Sequence, residues 1–158
     1  MISSKISSVL DACNAQGVML VTAESCTGGM IAAGLTDIAG SSSVFERGFV
    51  TYTNKSKHEM LGVPERLLET YGAVSQQVAL AMAEGALVNS EADLSVAVTG
   101  IAGPGGATQE KPVGLVHIAC ARIGQETIHH QFTFSGDRSR VREQSVVAAL
   151  DMILEILN

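Results

Sequence analysis

The chain contains no tryptophan, only 3 prolines and 3 cysteines, and just 4% aromatic residues in a length of 158. A core without large rings must be assembled from Ala, Val, Leu, Ile and Met, and a hydrophobic content of 46% is enough for that. Charge is scarce as well. Asp, Glu, Lys and Arg make up 16%, against roughly 25% in ordinary soluble domains. High apolar content with so little charge excludes a disordered chain. It also leaves room for a buried contact between subunits, so a homo-oligomer is expected, with a dimer favoured. Basic side chains are outnumbered 10 to 16, for a net charge of −6, which excludes the broad basic footprint that nucleic acid selects. Local backbone dipoles and one or two arginines still suffice to hold a small anion.

Cys13, Cys26 and Cys120 are odd in number and far apart, which argues against a disulfide framework and for a reducing cytosol. No stretch approaches the roughly 18 apolar residues of a membrane span, and the first residues lack the apolar segment of a secretory leader. The expectation is a soluble, cytoplasmic protein with no membrane partner. His58, His117, His129 and His130 show no ligand spacing and the cysteines do not pair, so neither metal nor cofactor is expected. At this length one domain buries its own core without staples.

Ile6, Val9, Leu10 and Cys13 recur at helical spacing, predicting an amphipathic helix over 4–16 that Gly17 ends. The short runs 18–22, 48–52 and 94–99 read as strands, the first and third buried as in a parallel sheet. Helices are predicted from Met30 to near Gly40, from Asn54 with Asn as cap, over 64–70, over 75–89 behind Ser75, and over 137–157. Residues 113–121 and 127–134, joined at Gly124, read as an antiparallel hairpin. With neither repeat nor linker, residues 1–158 form a single α/β domain, a mixed sheet with helices on both faces.

Three of these strands end in unusual loops: Glu24-Ser25-Cys26-Thr27-Gly28-Gly29, Thr53-Asn54-Lys55-Ser56-Lys57, and Gly100 through Gly106. Ligands of open α/β sheets gather at the carboxyl ends of the strands, so parallel strands bring these loops to one edge. Either Ser25 or Thr27 caps the helix that follows, or Ser25 is a nucleophile whose N–H neighbours and helix dipole stabilise an oxyanion. A serine nucleophile needs a base. Only His58 among the histidines lies near a candidate loop, which leaves a Ser-His-Asp triad poorly supported. Lys57, or less readily Lys55, supplies a Ser-Lys pair if burial renders it neutral; ordinary solvation is the alternative for both. Tyr52, at its strand end, is placed to bond the pair or the ligand. The loop from Thr99 through Gly106 resembles a phosphate or carboxamide cradle but fits neither a Walker A loop nor a dinucleotide fingerprint; turn chemistry explains it equally well. Arg138, Arg140 and Arg142 open the last helix as a phosphate clamp or as a solvated first turn. Cys26 is a rival nucleophile or a small buried thiol.

The runs Thr22-Ala23-Glu24-Ser25-Cys26-Thr27-Gly28-Gly29, Gly48-Phe49-Val50-Thr51-Tyr52, Gly72-Ala73-Val74-Ser75 and Val98-Thr99-Gly100-Ile101-Ala102-Gly103-Pro104 follow one another along the chain. Together with Lys111-Pro112-Val113-Gly114 and Gly136-Asp137-Arg138, this order resembles the CinA C-terminal domain family over nearly the whole sequence. The resemblance implies a three-layer α/β/α sandwich, with a mixed, mostly parallel sheet ending in the hairpin. It implies a stand-alone member without the domain that precedes this one in longer relatives. It also implies the activity of the stand-alone bacterial members, hydrolysis of the carboxamide of nicotinamide mononucleotide (NMN) to nicotinate mononucleotide and ammonia, within pyridine nucleotide recycling. The family's metal-free serine falls on Ser25, its strand-end tyrosine on Tyr52, and its lysine on Lys57 in preference to Lys55. Loops and resemblance together lead to one expected mechanism. Neutral Lys57 takes the Ser25 proton, N–H groups at Cys26, Thr27 and Gly28 hold the oxyanion, and Tyr52 orients lysine or substrate. The nucleotide lies against Thr99, Gly100 and Gly103, with Arg142 on its phosphate. The other reading is a nucleotide-binding or regulatory module of the same family without chemistry.

Overall fold

The computed structural model describes residues 2–158; Met1 lies outside them. Helix α1 (Ile2–Gln16) leads into β1 (Leu20–Glu24), α2 (Met30–Thr36) and β2 (Phe45–Val50). Three helices follow, α3 (Asn54–Leu61), α4 (Glu65–Tyr71) and α5 (Gln76–Val88), and then β3 (Leu94–Gly100), β4 (Leu115–Arg122), β5 (Ile128–Thr133) and α6 (Arg138–Leu157). The sheet order is β2-β1-β3-β4-β5. β1 pairs in parallel with β2 and β3, and β4 alone runs against its neighbours β3 and β5. This is the mixed, mostly parallel sheet ending in a hairpin that the residue pattern predicts.

Strand alternation builds two cores. On one face Leu20, Val96, Val98, Val116, Ile118 and Cys120 pack with Val9, Leu10 and Cys13 of α1 and Leu150 and Ile153 of α6. On the other, Val21, Ala23, Ala97, Ala119 and Ala121 meet Val78, Met82 and Ala83 of α5, with Leu61 and Leu68 from α3 and α4. Helices therefore cover both faces, giving the three layers.

Several boundaries differ from the predicted ones for local reasons. β1 starts at Leu20 rather than 18, because the Met19 N–H donates to the Asp93 carboxylate and its carbonyl accepts from Asp93 and Leu94 N–H groups. β2 begins at Phe45, three residues early, since an edge strand tolerates the polar Glu46 and Arg47 that read as loop. α2 stops at Thr36, short of Gly40. The cap of α3 is Thr53, not Asn54: its Oγ1 accepts from the Ser56 N–H while Ser56 Oγ accepts from the Thr53 N–H, a reciprocal capping box.

In the register, Glu24 lies opposite Val50 on one side and Val98 on the other. The loops after β1, β2 and β3 therefore leave the sheet side by side. The helix that backs this edge, α5, lies tightly against the end of α3, where a Cβ on Gly85 would fall 2.0 Å from the Leu61 carbonyl oxygen. Gly85→Ala is expected to cost about 3 kcal/mol through this overlap, read as a lower urea midpoint at unchanged m-value.

Candidate active site

Ser25 is held as an extension of β1. Its N–H donates to the Val98 carbonyl at 2.9 Å, and the Thr51 N–H donates to the Glu24 carbonyl at 2.9 Å, so the sheet ladder runs on to the residue bearing the hydroxyl. The chain then turns sharply. The Gly28 N–H donates to the Ser25 carbonyl and the Met30 N–H to the Thr27 carbonyl, each at 3.0 Å. Gly28 and Gly29 take φ of 58° and 104°, left-handed values that a side chain would resist.

Neither Ser25 nor Thr27 caps α2, whose N-cap is Gly29 with no side-chain bond. That alternative is overturned by Glu24. Its fully buried carboxylate accepts from the Ile31 N–H at 2.9 Å and the Ala32 N–H at 3.1 Å. The positive end of α2 is thus met by the protein's own carboxylate, and the expectation that this dipole faces an oxyanion is corrected accordingly.

The capping box at Thr53 sets the first turn of α3 so that Lys57 points inward and Lys55 outward. Lys57 is 1% exposed, while Lys55 is exposed and lies with His58 in a separate hollow between α3 and α4. His58 bonds the Val63 carbonyl and sits 3.2 Å from Glu65. Lys57 Nζ lies 2.9 Å from Ser25 Oγ, donates to the Thr51 carbonyl at 3.0 Å, and stands 3.5 Å from the Tyr52 carbonyl. Burial pulls its pKa down to about 8, because no medium of high polarity surrounds the ammonium. A neutral amine has two N–H bonds and one lone pair. With its hydrogens on the two carbonyls, an unprotonated Lys57 would have its lone pair free for Ser25; the protonated amine donates to Ser25 Oγ instead.

A cleft of about 290 Å³ opens over this pair. Its walls come from Tyr52 and Asn54, from Ala73 and Val74, from Thr99 through Gly103 with Gly105 and Gly106, and from Cys26 and Arg138. Thr99 is in place, its Oγ1 donating to the Ala73 carbonyl at 2.9 Å and so fixing the Ala73–Val74 wall. Gly100 and Gly103 line the cleft too. Cys26 reaches it, but burial raises its thiol to about 11, far from thiolate chemistry at neutral pH.

Three expected contacts fall elsewhere. Thr27 and Gly28 are not among the lining residues, and the Gly28 N–H is already bonded. Arg142 turns to the loop itself, Nε donating to the Cys26 carbonyl at 3.1 Å and Nη2 to the Thr27 carbonyl at 3.3 Å. The arginine in the cleft is Arg138, which donates to the Gly103 carbonyl and to Tyr52 Oη, both at 2.8 Å. Tyr52 accordingly addresses Lys57 through its backbone and Arg138 through its hydroxyl. A sequence signal for this existed: Asp137 caps α6 by accepting from the Arg140 N–H, which puts Arg138 at the very start of the helix. Glu24, Asn54, Ala73 and Val74 carried no comparable signal. Among the described residues, no group of three or more His, Cys, Asp or Glu is placed to hold a metal, and no helix is long and apolar enough to cross a membrane.

A profile described as the CinA C-terminal domain matches residues 3–157. The chain belongs to the CinA C-terminal domain family. It is 51% identical over 142 residues to nicotinamide-nucleotide amidohydrolase PncC of Escherichia coli strain K12, covering 90% of this chain and 86% of that protein. A CinA-like protein of Akkermansia muciniphila is 54% identical over 140 residues, and there the chain spans only 34% of the relative's length. Among solved structures, the competence/damage inducible protein CihA from Agrobacterium tumefaciens superposes with a TM-score of 0.97 at 49% identity, over 99% of this chain and 96% of that one. Family membership and a whole-chain structural match together establish the fold.

Burying Lys57 destabilises the fold wherever it stays charged. Its folded pKa of about 8 lies below the ordinary 10.5, so below pH 8 both states are protonated and the full cost is present; between the two values the unfolded chain binds more protons and stability rises with pH. Lys57→Met is therefore expected to stabilise the protein at pH 7 by about 2 kcal/mol. That gain should shrink between pH 8 and 10.5 in thermal melts.

Proposed function

We propose that this member of the family is a nicotinamide-nucleotide amidohydrolase that releases ammonia from NMN by a Ser25/Lys57 mechanism. The observation that carries this reading is the buried lysine, its pKa lowered to about 8, 2.9 Å from Ser25 Oγ at the floor of a cleft. The choice of substrate is supported by 51% identity to PncC over 90% of the chain.

In the proposed reaction neutral Lys57 accepts the Ser25 proton as Oγ attacks the carboxamide carbon. The C–O bond forms, the carbonyl pair moves to oxygen, and the oxyanion lies at the Cys26 N–H, the part of that loop that lines the cleft. Collapse breaks the C–N bond while protonated Lys57 returns its proton to the departing nitrogen, which leaves as ammonia. Lys57, neutral again, deprotonates water, whose oxygen displaces Ser25 from the nicotinoyl ester to yield nicotinate mononucleotide, and the protonated lysine returns its proton to the departing Ser25 Oγ. Arg138 replaces Arg142 as the guanidinium best placed for the phosphate, because it lies in the cleft beside the Gly103 loop. This reading places the enzyme in the cytoplasm as a homo-oligomer. The low charged content of 16% supports a dimer, which sedimentation velocity would register.

Ammonia release from NMN tests the reading directly. The wild type should turn over, Ser25→Ala and Lys57→Ala should lose roughly 10³-fold or more in kcat, and Cys26→Ser should stay close to wild type. With Lys57 as base, kcat/KM should climb with pH and level off above about 8, since only the unprotonated amine accepts a proton. Tight NMN binding with no ammonia from the wild type would establish the non-catalytic module instead.

A further inference from the structure

The side chains lining the cleft that carry nitrogen or oxygen are those of Ser25, Tyr52, Asn54, Lys57, Thr99 and Arg138. All but one are engaged within the protein. Ser25 and Lys57 meet each other, Thr99 holds the Ala73 carbonyl, and Arg138 is shared between the Gly103 carbonyl and Tyr52 Oη. Asn54 is the exception. Its carboxamide has no hydrogen-bond partner among the described residues.

The capping box explains why it is free. Thr53 Oγ1 accepts from the Ser56 N–H and Ser56 Oγ accepts from the Thr53 N–H, so the capping that an Asn commonly performs is already done. Asn54 stands instead at the first helical position of α3, exposed to solvent. Lys57 follows it by three residues, which places both on one side of the helix. The buried lysine reaches the floor of the cleft, and the exposed Asn54 stands at its rim, on the ridge shared with the hollow between α3 and α4.

A mononucleotide has three kinds of polar group to place here. Its carboxamide must lie at Ser25 to be attacked, and its phosphate is matched by the Arg138 guanidinium. Between these ends lies the ribose, whose neighbouring hydroxyls each donate and accept. A primary carboxamide has the same double character, Nδ2 donating and Oδ1 accepting. Both are uncharged at neutral pH, so neither has to give up an ionic partner to meet the other.

We infer that Asn54 is the residue that recognises the sugar, its carboxamide bonding the ribose hydroxyls of the bound mononucleotide through Nδ2 and Oδ1. This rests on the Ser25/Lys57 reading of the site and adds to it a determinant of substrate choice. A bond to a part of the substrate that does not react is equally strong before and in the transition state, so it sets KM and leaves kcat alone.

Ammonia release from NMN by the wild type, Ser25→Ala and Asn54→Ala tests this, with nicotinate mononucleotide and its form lacking both ribose hydroxyls as competitive inhibitors. Turnover by the wild type that Ser25→Ala abolishes secures the reading on which the inference rests; failure there removes both. With that secured, Asn54→Ala should raise KM for NMN about tenfold, with kcat within about twofold of wild type, as expected from losing one or two neutral hydrogen bonds. Inhibition by nicotinate mononucleotide should weaken by the same factor, whereas the form without hydroxyls should inhibit both enzymes alike. Equal weakening of the two inhibitors would put Asn54 on another part of the ligand. A fall in kcat at constant KM would put it on the reaction, and an unchanged KM would take it off the substrate; each result overturns the assignment. An exposed side chain that caps nothing should be replaceable without loss of stability. Should Asn54→Ala nevertheless fail to fold, Asn54→Leu, which keeps the approximate shape without donors or acceptors, should show the same rise in KM, and a wild-type KM there would overturn the inference.

Discussion

A lysine side chain with 1% exposure is costly to bury while charged, and much of the local architecture serves to hold it. No carboxylate is among its hydrogen-bond partners; they are a hydroxyl and two backbone carbonyls. Neutral acceptors do not offset desolvation as an ion pair would, so burial shifts the equilibrium towards the free amine. An acidic partner would stabilise the fold and keep the proton on nitrogen. Its lack weakens the fold slightly and leaves a base available near neutral pH, a trade between stability and activity common to functional sites.

The same edge of the sheet buries a charge of the opposite sign. Glu24 immediately precedes Ser25 and points to the other face, where its carboxylate closes the exposed N–H groups of α2. Because side chains alternate along a strand, one short run separates the two environments. The acid is satisfied on the α2 side, and the hydroxyl one residue later meets the lysine. The sheet register makes this reproducible. Glu24 is gripped by β2 and β3, and both flanking strands continue their hydrogen bonds past its end to Thr51 and Ser25.

Much of this was legible in the residues. Periodicity located each helix and strand, and the three loops at strand ends marked the edge where Ser25 and Lys57 meet. The residues already favour Lys57 over Lys55, and the fold adds that α3, opened by Thr53, buries Lys57 and leaves Lys55 exposed. Residue identity does not separate Arg142 from Arg138, because charge and nearness to a glycine loop describe both equally well. Contacts made by main-chain carbonyls, such as Ala73 to Thr99 or Cys26 to Arg142, leave no trace in residue identity. Those contacts are what shaped the cleft walls.

The two arginines illustrate how a chain of net charge −6 concentrates positive potential where the proposed reaction needs it. Arg138 and Arg142 are four residues apart, so they lie about one helical turn from each other on the same side of α6. The first faces the mouth of the cleft and the second reaches the loop behind the nucleophile. α6 is itself anchored by Val141, Val146, Leu150 and Ile153 in the core under the sheet, so the backbone positions of the two arginines are set by a rigid element. A helix packed this way cannot shift one arginine without the other. In the proposed reaction the guanidinium nearest the phosphate and the one that holds the loop after Ser25 are thus carried by one helix.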